Sequence, residues 1–163
     1  KIKLKDLNHK KLLSNEIGIE ASKISKNRII RKLIDGIQKK YAYSPPKKYN
    51  GSCLDGRDIT YKILPDADFK FFLTANIKTR AKRRYMELKK LNKKIKFNDV
   101  FKSIKQRDQS DYKRKISPLK KTKDSILIDT THLTINECFN KMKNIIDRGV
   151  NTNKNSKNLK LNN

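Results

Sequence analysis

A chain of 163 residues can hold one domain with a real core and is too short for two ordinary ones. It carries 42 Lys and Arg against 16 Asp and Glu, a net charge of +26, which makes nucleic acid or another polyanion the first partner to weigh. The two cysteines, two isolated histidines and five glycines fall in no zinc, EF-hand, Ser/His/Asp, dinucleotide or phosphate-loop spacing, so none of those chemistries is written here.

The lysines are mixed with asparagine and isoleucine along the whole length rather than gathered in one stripe. An AT-rich coding sequence with a solvated surface gives the same pattern, and composition alone leaves both readings open. Cys53 and Cys138, one in a predicted strand and one in a predicted helix, read as buried, reduced thiols of a cytosolic protein. No apolar run reaches membrane-spanning length and no leader is visible, so the expectation is a soluble protein without an export signal.

In chain order, Lys1 to Leu7 alternate lysine with Ile2 and Leu4, which predicts an edge strand or hairpin end cut in mid-element. From Ser14 a helix is expected, capped by Ser14 or Asn15, with Ile17, Ala21 and Ile24 at helical spacing. A second helix spans about Asn27 to Tyr41, with Ile30, Leu33, Ile34 and Ile37 inward, and Ser44-Pro45-Pro46 ends it. Gly51-Ser52-Cys53-Leu54 then reads as a buried strand opening into Asp55-Gly56-Arg57-Asp58, the place where open α/β sheets put their ligands.

Gly56 is expected to turn the chain with positive φ. Arg57 is one of few arginines in a lysine-rich chain, and its fork binds a phosphate or carboxylate with two hydrogen bonds where an ammonium acts as a point charge. An Arg/Asp pair on a plain turn is the alternative. Ile63 to Asp66 is a loop, Phe69 to Leu73 a strand, and Ile77 to Leu91 a helix with Arg80, Arg83 and Arg84 on roughly one face, aimed at an anion or at solvent.

Phe97 to Asp111 reads as an amphipathic helix with Phe97, Val100, Phe101 and Ile104 on one side. Arg107, Asp111 and Arg114 follow at i, i+4 and i+7, either a lined-up site or surface ion pairs of negligible energy. Ile116 to Leu119 interrupts the helix, and Ser125 to Asp129 is a short buried strand. Thr130 to Thr134 is a capped connection, Ile135 to Ile146 a closing helix, and the Asn/Lys tail to Asn163 too polar to bury anything. The order strand, helix, strand, helix, helix, strand, helix is that of a parallel α/β sheet.

These pieces together resemble the carboxyl-terminal two-thirds of bacterial cytidylate kinase, over about Ser14 to Arg148. The residues that carry the resemblance are Leu54-Asp55-Gly56-Arg57-Asp58 with Leu64-Pro65-Asp66-Ala67, then Phe72-Leu73-Thr74-Ala75 leading into Arg80-Ala81-Lys82-Arg83-Arg84. Further on come Arg107-Asp108-Gln109-Ser110-Asp111-Tyr112-Lys113-Arg114 with Ser117-Pro118-Leu119, and Ile128-Asp129-Thr130-Thr131. Thr60-Tyr61 stands where that family usually has Gly-Thr, and Leu13 near where it commonly has arginine.

The resemblance implies a nucleoside monophosphate kinase sheet with flanking helices, and transfer of the ATP γ-phosphoryl to CMP or dCMP with Mg²⁺ bridging the phosphates. It implies that Arg57 and Arg114 hold the acceptor phosphate, that Asp58 with Ser22 and Arg31 reads the cytosine edge, and that Arg107 and Asp111 belong to a lid. Arg107, Arg114 and Asp111 are then the catalytic set; Arg57, Asp58, Ser22 and Arg31 bind substrate; no metal ligand is assigned. It further implies residues 1–13 as the end of an acceptor-binding insert, 14–149 as the partial domain with its lid at about 97–118, and 150–163 as a disordered tail. The expected whole is a cytoplasmic monomer without membrane or nucleic-acid partners, of which these residues are a fragment lacking the ATP phosphate loop and inactive alone. A truncated basic paralogue that binds RNA, and a kinase with shifted base choice, are the competing expectations.

Overall fold

The computed structural model describes residues 12, 15–25, 27–91 and 94–161, with side chains at all of these but 15, 16, 22 and 152–161. The strand expected at Lys1–Leu7 and the cap at Ser14 lie outside the described residues. The elements are α1 (Asn15–Ile24), α2 (Arg28–Tyr43), a π-helical turn (Ile59–Ile63), β1 (Phe71–Thr74), α3 (Ile77–Leu91), α4 (Phe97–Lys113), β2 (Ile126–Asp129) and α5 (Ile135–Leu161). This is consistent with the α/β class expected, though helix-rich and with two strands described rather than three; β1 and β2 are parallel in the register Phe71↔Ile126 to Thr74↔Asp129.

The starts of α2 and α5 have local causes. Asn27 caps α2 by accepting from the backbone N–H of Ile29 at 2.9 Å and of Ile30 at 3.2 Å. Thr134 and Glu137 form a capping box on α5: the Glu137 N–H donates to Thr134 Oγ1, and the Thr134 N–H donates to Glu137 Oε2. Parallel strands need a long crossover; here α3 and α4 supply it, joined by the edge-to-face pair Tyr85–Phe97 at 5.9 Å. Of the core residues, Ile63, Ala81 and Ile128 are fully buried, and Leu88 and Val100 nearly so.

Four expectations are corrected. Residues 51–55 form no strand and Cys53 is exposed; a strand needs a ladder partner for its N–H and C=O groups, and among the described residues β1 pairs only with β2. Gly56 does not take positive φ. It is needed for room instead, since a Cβ there would sit 2.9 Å from the Ile59 side chain. Leu33 and Ile37 of α2 face solvent, and Arg31 is the buried residue of that helix. Finally, α5 runs as one helix past Ile146 to Leu161.

Candidate functional site

The first half of the site is built where the π-helical turn meets α2. Ile59 and Ile63 anchor the turn in the core, and Asp58, the residue before it, is held 2% exposed beneath the helix. A buried carboxylate is costly unless paired, and Arg31 Nη2 donates to Asp58 Oδ2. The same Nη2 lies 3.4 Å from Asp35 Oδ1, one helical turn further along α2. Buried Arg31 Nε, Asp35 Oδ1 and Gln38 Oε1 all lack a hydrogen-bond partner, so this cluster has polar capacity in reserve.

The second half forms around Asp111 near the C-terminus of α4. Arg57 Nε donates to Asp111 Oδ2 at 2.9 Å, Arg114 Nη1 lies 3.5 Å from Oδ1, and Arg107 Nε lies 3.9 Å from Oδ2. Asp111 is 5% exposed, so its contacts with Arg57 and Arg114 are not the loose surface pairs that the spacing also allowed, whereas the Arg107 contact is long and its side chain exposed. Three guanidinium groups around one carboxylate leave a local surplus of two positive charges. Arg107 and Arg57 keep 54% and 35% of their side-chain surface, open to an incoming anion, while Arg114 is buried.

Arg114 is held by donating from Nε to the Ser117 carbonyl at 2.6 Å and from Nη1 to Ser25 Oγ of the segment after α1 at 3.4 Å. Tyr61 lies between the two halves. Its hydroxyl donates to the Pro118 carbonyl at 2.6 Å. Burial raises its pKa, the nearby Asp58 carboxylate raises it further, and Arg114 and Arg31 oppose the rise. Tyr61, at the Thr60-Tyr61 departure, therefore feels both clusters at once. An open cleft of about 390 Å³ beside Arg114 is lined by Ser110, Lys113, Lys115 and Ile116.

The structure thus brings Arg57, Arg107, Asp111 and Arg114 to one place and Arg31 and Asp58 to a neighbouring one. Ser22 lies on α1, but its side chain is outside the described residues. The arginines of α3 serve the fold rather than a shared anion. Arg80 is bidentate to Asp108 of α4 at 2.8 and 2.7 Å, Arg83 donates to the Thr130 and Leu133 carbonyls, and Arg84 pairs with Glu87. No group of three or more His, Cys, Asp and Glu among the described residues is placed to hold a metal, and none of their helices is long and apolar enough to cross a membrane.

Two contributors escaped the sequence. Lys62 Nζ bridges Asp35 Oδ2 at 2.5 Å and Ser117 Oγ at 3.1 Å. Ser117 is buried with φ of 52°, the only positive φ outside glycine among the described residues. The one available signal was a lysine inside an apolar run, Ile59 to Leu64, facing an aspartate inside another, Ile34 to Ile37.

The family model described as cytidylate kinase matches residues 2–148. A cytidylate kinase of Bartonella bacilliformis is 42% identical over 147 residues, covering 90% of this chain and 66% of the relative. One of Clostridium botulinum strain Okra is 46% identical over 132 residues, covering 81% of this chain and 58% of the relative. The chain thus spans less than two thirds of the length of these curated relatives. With a match over nearly its whole length, the chain belongs to the cytidylate kinase family.

Proposed function

We propose that these residues form the acceptor side of a nucleoside monophosphate kinase that transfers the ATP γ-phosphoryl to CMP or dCMP, giving CDP or dCDP. The observation that carries the reading is the convergence of Arg57, Arg107 and Arg114 on the single buried carboxylate of Asp111. A phosphate monoester carries nearly two negative charges at neutral pH, which matches the surplus of two positive charges there. The relatives' name, cytidylate kinase, gives the substrate class.

In this reading Arg57 and Arg114 hold the acceptor phosphate with their forks, and Asp111 fixes the guanidinium groups before the nucleotide arrives. Phosphoryl transfer depends on positioning and on charge complementary to the equatorial oxygens, not on covalent chemistry by the protein. Arg107, the most exposed of the three, is the group that closes over the reacting phosphates and helps exclude water as a competing acceptor. Asp58 and Arg31 offer an acceptor and a donor side by side for the cytosine edge, with Ser22 as third member.

ATP and its Mg²⁺ enter as the second substrate. Among the described residues no group of three or more His, Cys, Asp and Glu is placed to hold a metal, and no Gly-x-x-x-x-Gly-Lys-Ser/Thr sequence lies within the 163 residues. The ATP phosphate loop is accordingly assigned to a longer chain, and these residues alone are expected to bind acceptor without turnover. The complete enzyme is read as a cytoplasmic monomer.

Calorimetric titration with CMP, dCMP, UMP and AMP tests the base assignment. Saturable binding of the cytosine nucleotides, at least about tenfold tighter than UMP or AMP, is expected. Equal affinity for all four would point to shifted base choice. Affinity only for unrelated RNAs, falling steeply with salt, would favour the polyanion reading.

A further inference from the structure

Between the two clusters runs an unbroken line of polar contacts. Asp58 pairs with Arg31, Arg31 lies against Asp35, Asp35 pairs with Lys62, and Lys62 donates to Ser117 Oγ. Ser117 in turn accepts from Arg114 Nε through its carbonyl, and Arg114 faces Asp111. Lys62 joins the two halves of this line. It sits on the π-helical turn immediately after Asp58, its side chain 37% exposed, with its ammonium shared between α2 and the segment that follows α4.

We propose that Lys62 is a positioning residue that couples base recognition at Asp58 and Arg31 to the pose of the phosphate-holding Arg114; this rests on the acceptor reading above. Two features beyond the contact line support it. Ser117 holds φ of 52°, a conformation that L-residues seldom adopt and that persists only where neighbours enforce it. Lys62 and Arg114 grip it from two sides, one at the hydroxyl and one at the carbonyl. In addition, Asp35 Oδ1 and Arg31 Nε are buried without hydrogen bonds, so a base arriving at Asp58 has unmet partners on α2 through which to shift the Asp35 carboxylate that Lys62 reads. The ammonium is a flexible point charge with three donors, able to follow such a shift where a planar fork is less so.

The test compares CMP with cytidine, which lacks the phosphate, by calorimetry on the 163-residue chain, its Lys62→Met and Lys62→Arg variants, and Ser117→Ala. A positioning role predicts that Lys62→Met and Ser117→Ala lower CMP affinity about tenfold while cytidine affinity moves less than about twofold. Lys62→Arg should restore most of the loss. A double-mutant cycle of Lys62→Met with Ser117→Ala in urea unfolding should show coupling, whether or not nucleotide is present.

Equal loss for CMP and cytidine, or an additive cycle, would overturn the proposal and leave Lys62 with a purely structural part. Wild-type chain that binds neither ligand would overturn the acceptor reading itself, which separates the two failures. Should Lys62→Met not fold, the CMP-to-cytidine ratio of Ser117→Ala decides.

Discussion

Arg57 and Asp111 lie 54 positions apart in the sequence and share a 2.9 Å hydrogen bond from Nε to Oδ2. One residue precedes the buried Asp58 and the other lies in the last turn of α4, a helix that begins beyond the whole of β1 and α3. Their meeting sets the loop of the Asp-Gly-Arg-Asp motif against the C-terminal end of α4.

Because Asp111 is buried and shared by three guanidinium groups, its removal should hurt stability before function. Asp111→Ala leaves Arg114, itself buried, without its carboxylate, and breaking one side of a buried pair costs about 3–5 kcal/mol. Asp111→Asn keeps an acceptor for Arg57 and should cost less. Urea unfolding of the two variants checks this; a loss below about 1 kcal/mol for alanine would show that the carboxylate is not what holds the arginines.

The arginines of α3 give the opposite expectation. Arg80 clamps Asp108 across the α3–α4 joint, with both side chains about a third exposed. The contact holds the Arg80 guanidinium pKa above its ordinary value, chiefly through its hydrogen bond to Asp108. Solvent screening discounts the pair, so Arg80→Ala should cost about 1 kcal/mol. CMP affinity should be unchanged, as the joint lies outside the two clusters. A matched titration and unfolding curve decides; loss of nucleotide affinity at full stability would move Arg80 into the site.

Acid sensitivity should come in part from the edge of the sheet. Asp124, just before β2, accepts from Lys70 and from Thr122, and these bonds lower its pKa from 3.8 to about 2. A folded pKa below the unfolded one adds stability that is fully present above about pH 4 and is lost as the pH falls through about 2. Asp124→Asn should therefore flatten the acid limb of the stability curve over that window, and added salt should weaken the difference. An unchanged acid limb would show the bond is not made in solution.

How much of this was legible follows from where the information sits. The boundaries of α3, α4 and β2 were readable because local devices set them: helical spacing from Phe97 to Ile104, and apolar runs bounded by polar turns. Arg57 drew notice as an arginine in a lysine-rich chain, and Asp58, Arg107, Asp111 and Arg114 through the resemblance of their motifs to cytidylate kinase; the structure places these residues in two adjoining clusters. The strand expected at Gly51–Leu54 failed because an apolar run becomes a strand only beside a partner. The π-helical turn was missed because Ile59, Thr60, Tyr61 and Ile63 are β-branched or aromatic and favour extended backbone over helix. Gly56 was needed for a different reason from the one its type suggests, and a serine, Ser117, took the positive φ instead. The pairing of Lys62 with Asp35 depends on the fold as a whole, and no local pattern encodes it.

The most direct measurement is a titration of the 163-residue chain with CMP at moderate and at high salt, alongside Arg57→Ala and Asp58→Ala. The account predicts saturable binding that persists at high salt and falls about tenfold or more in each variant, through the lost phosphate fork in one and the lost base contact in the other. Binding of a folded chain that is equal in all three proteins, or that vanishes with salt, would contradict it.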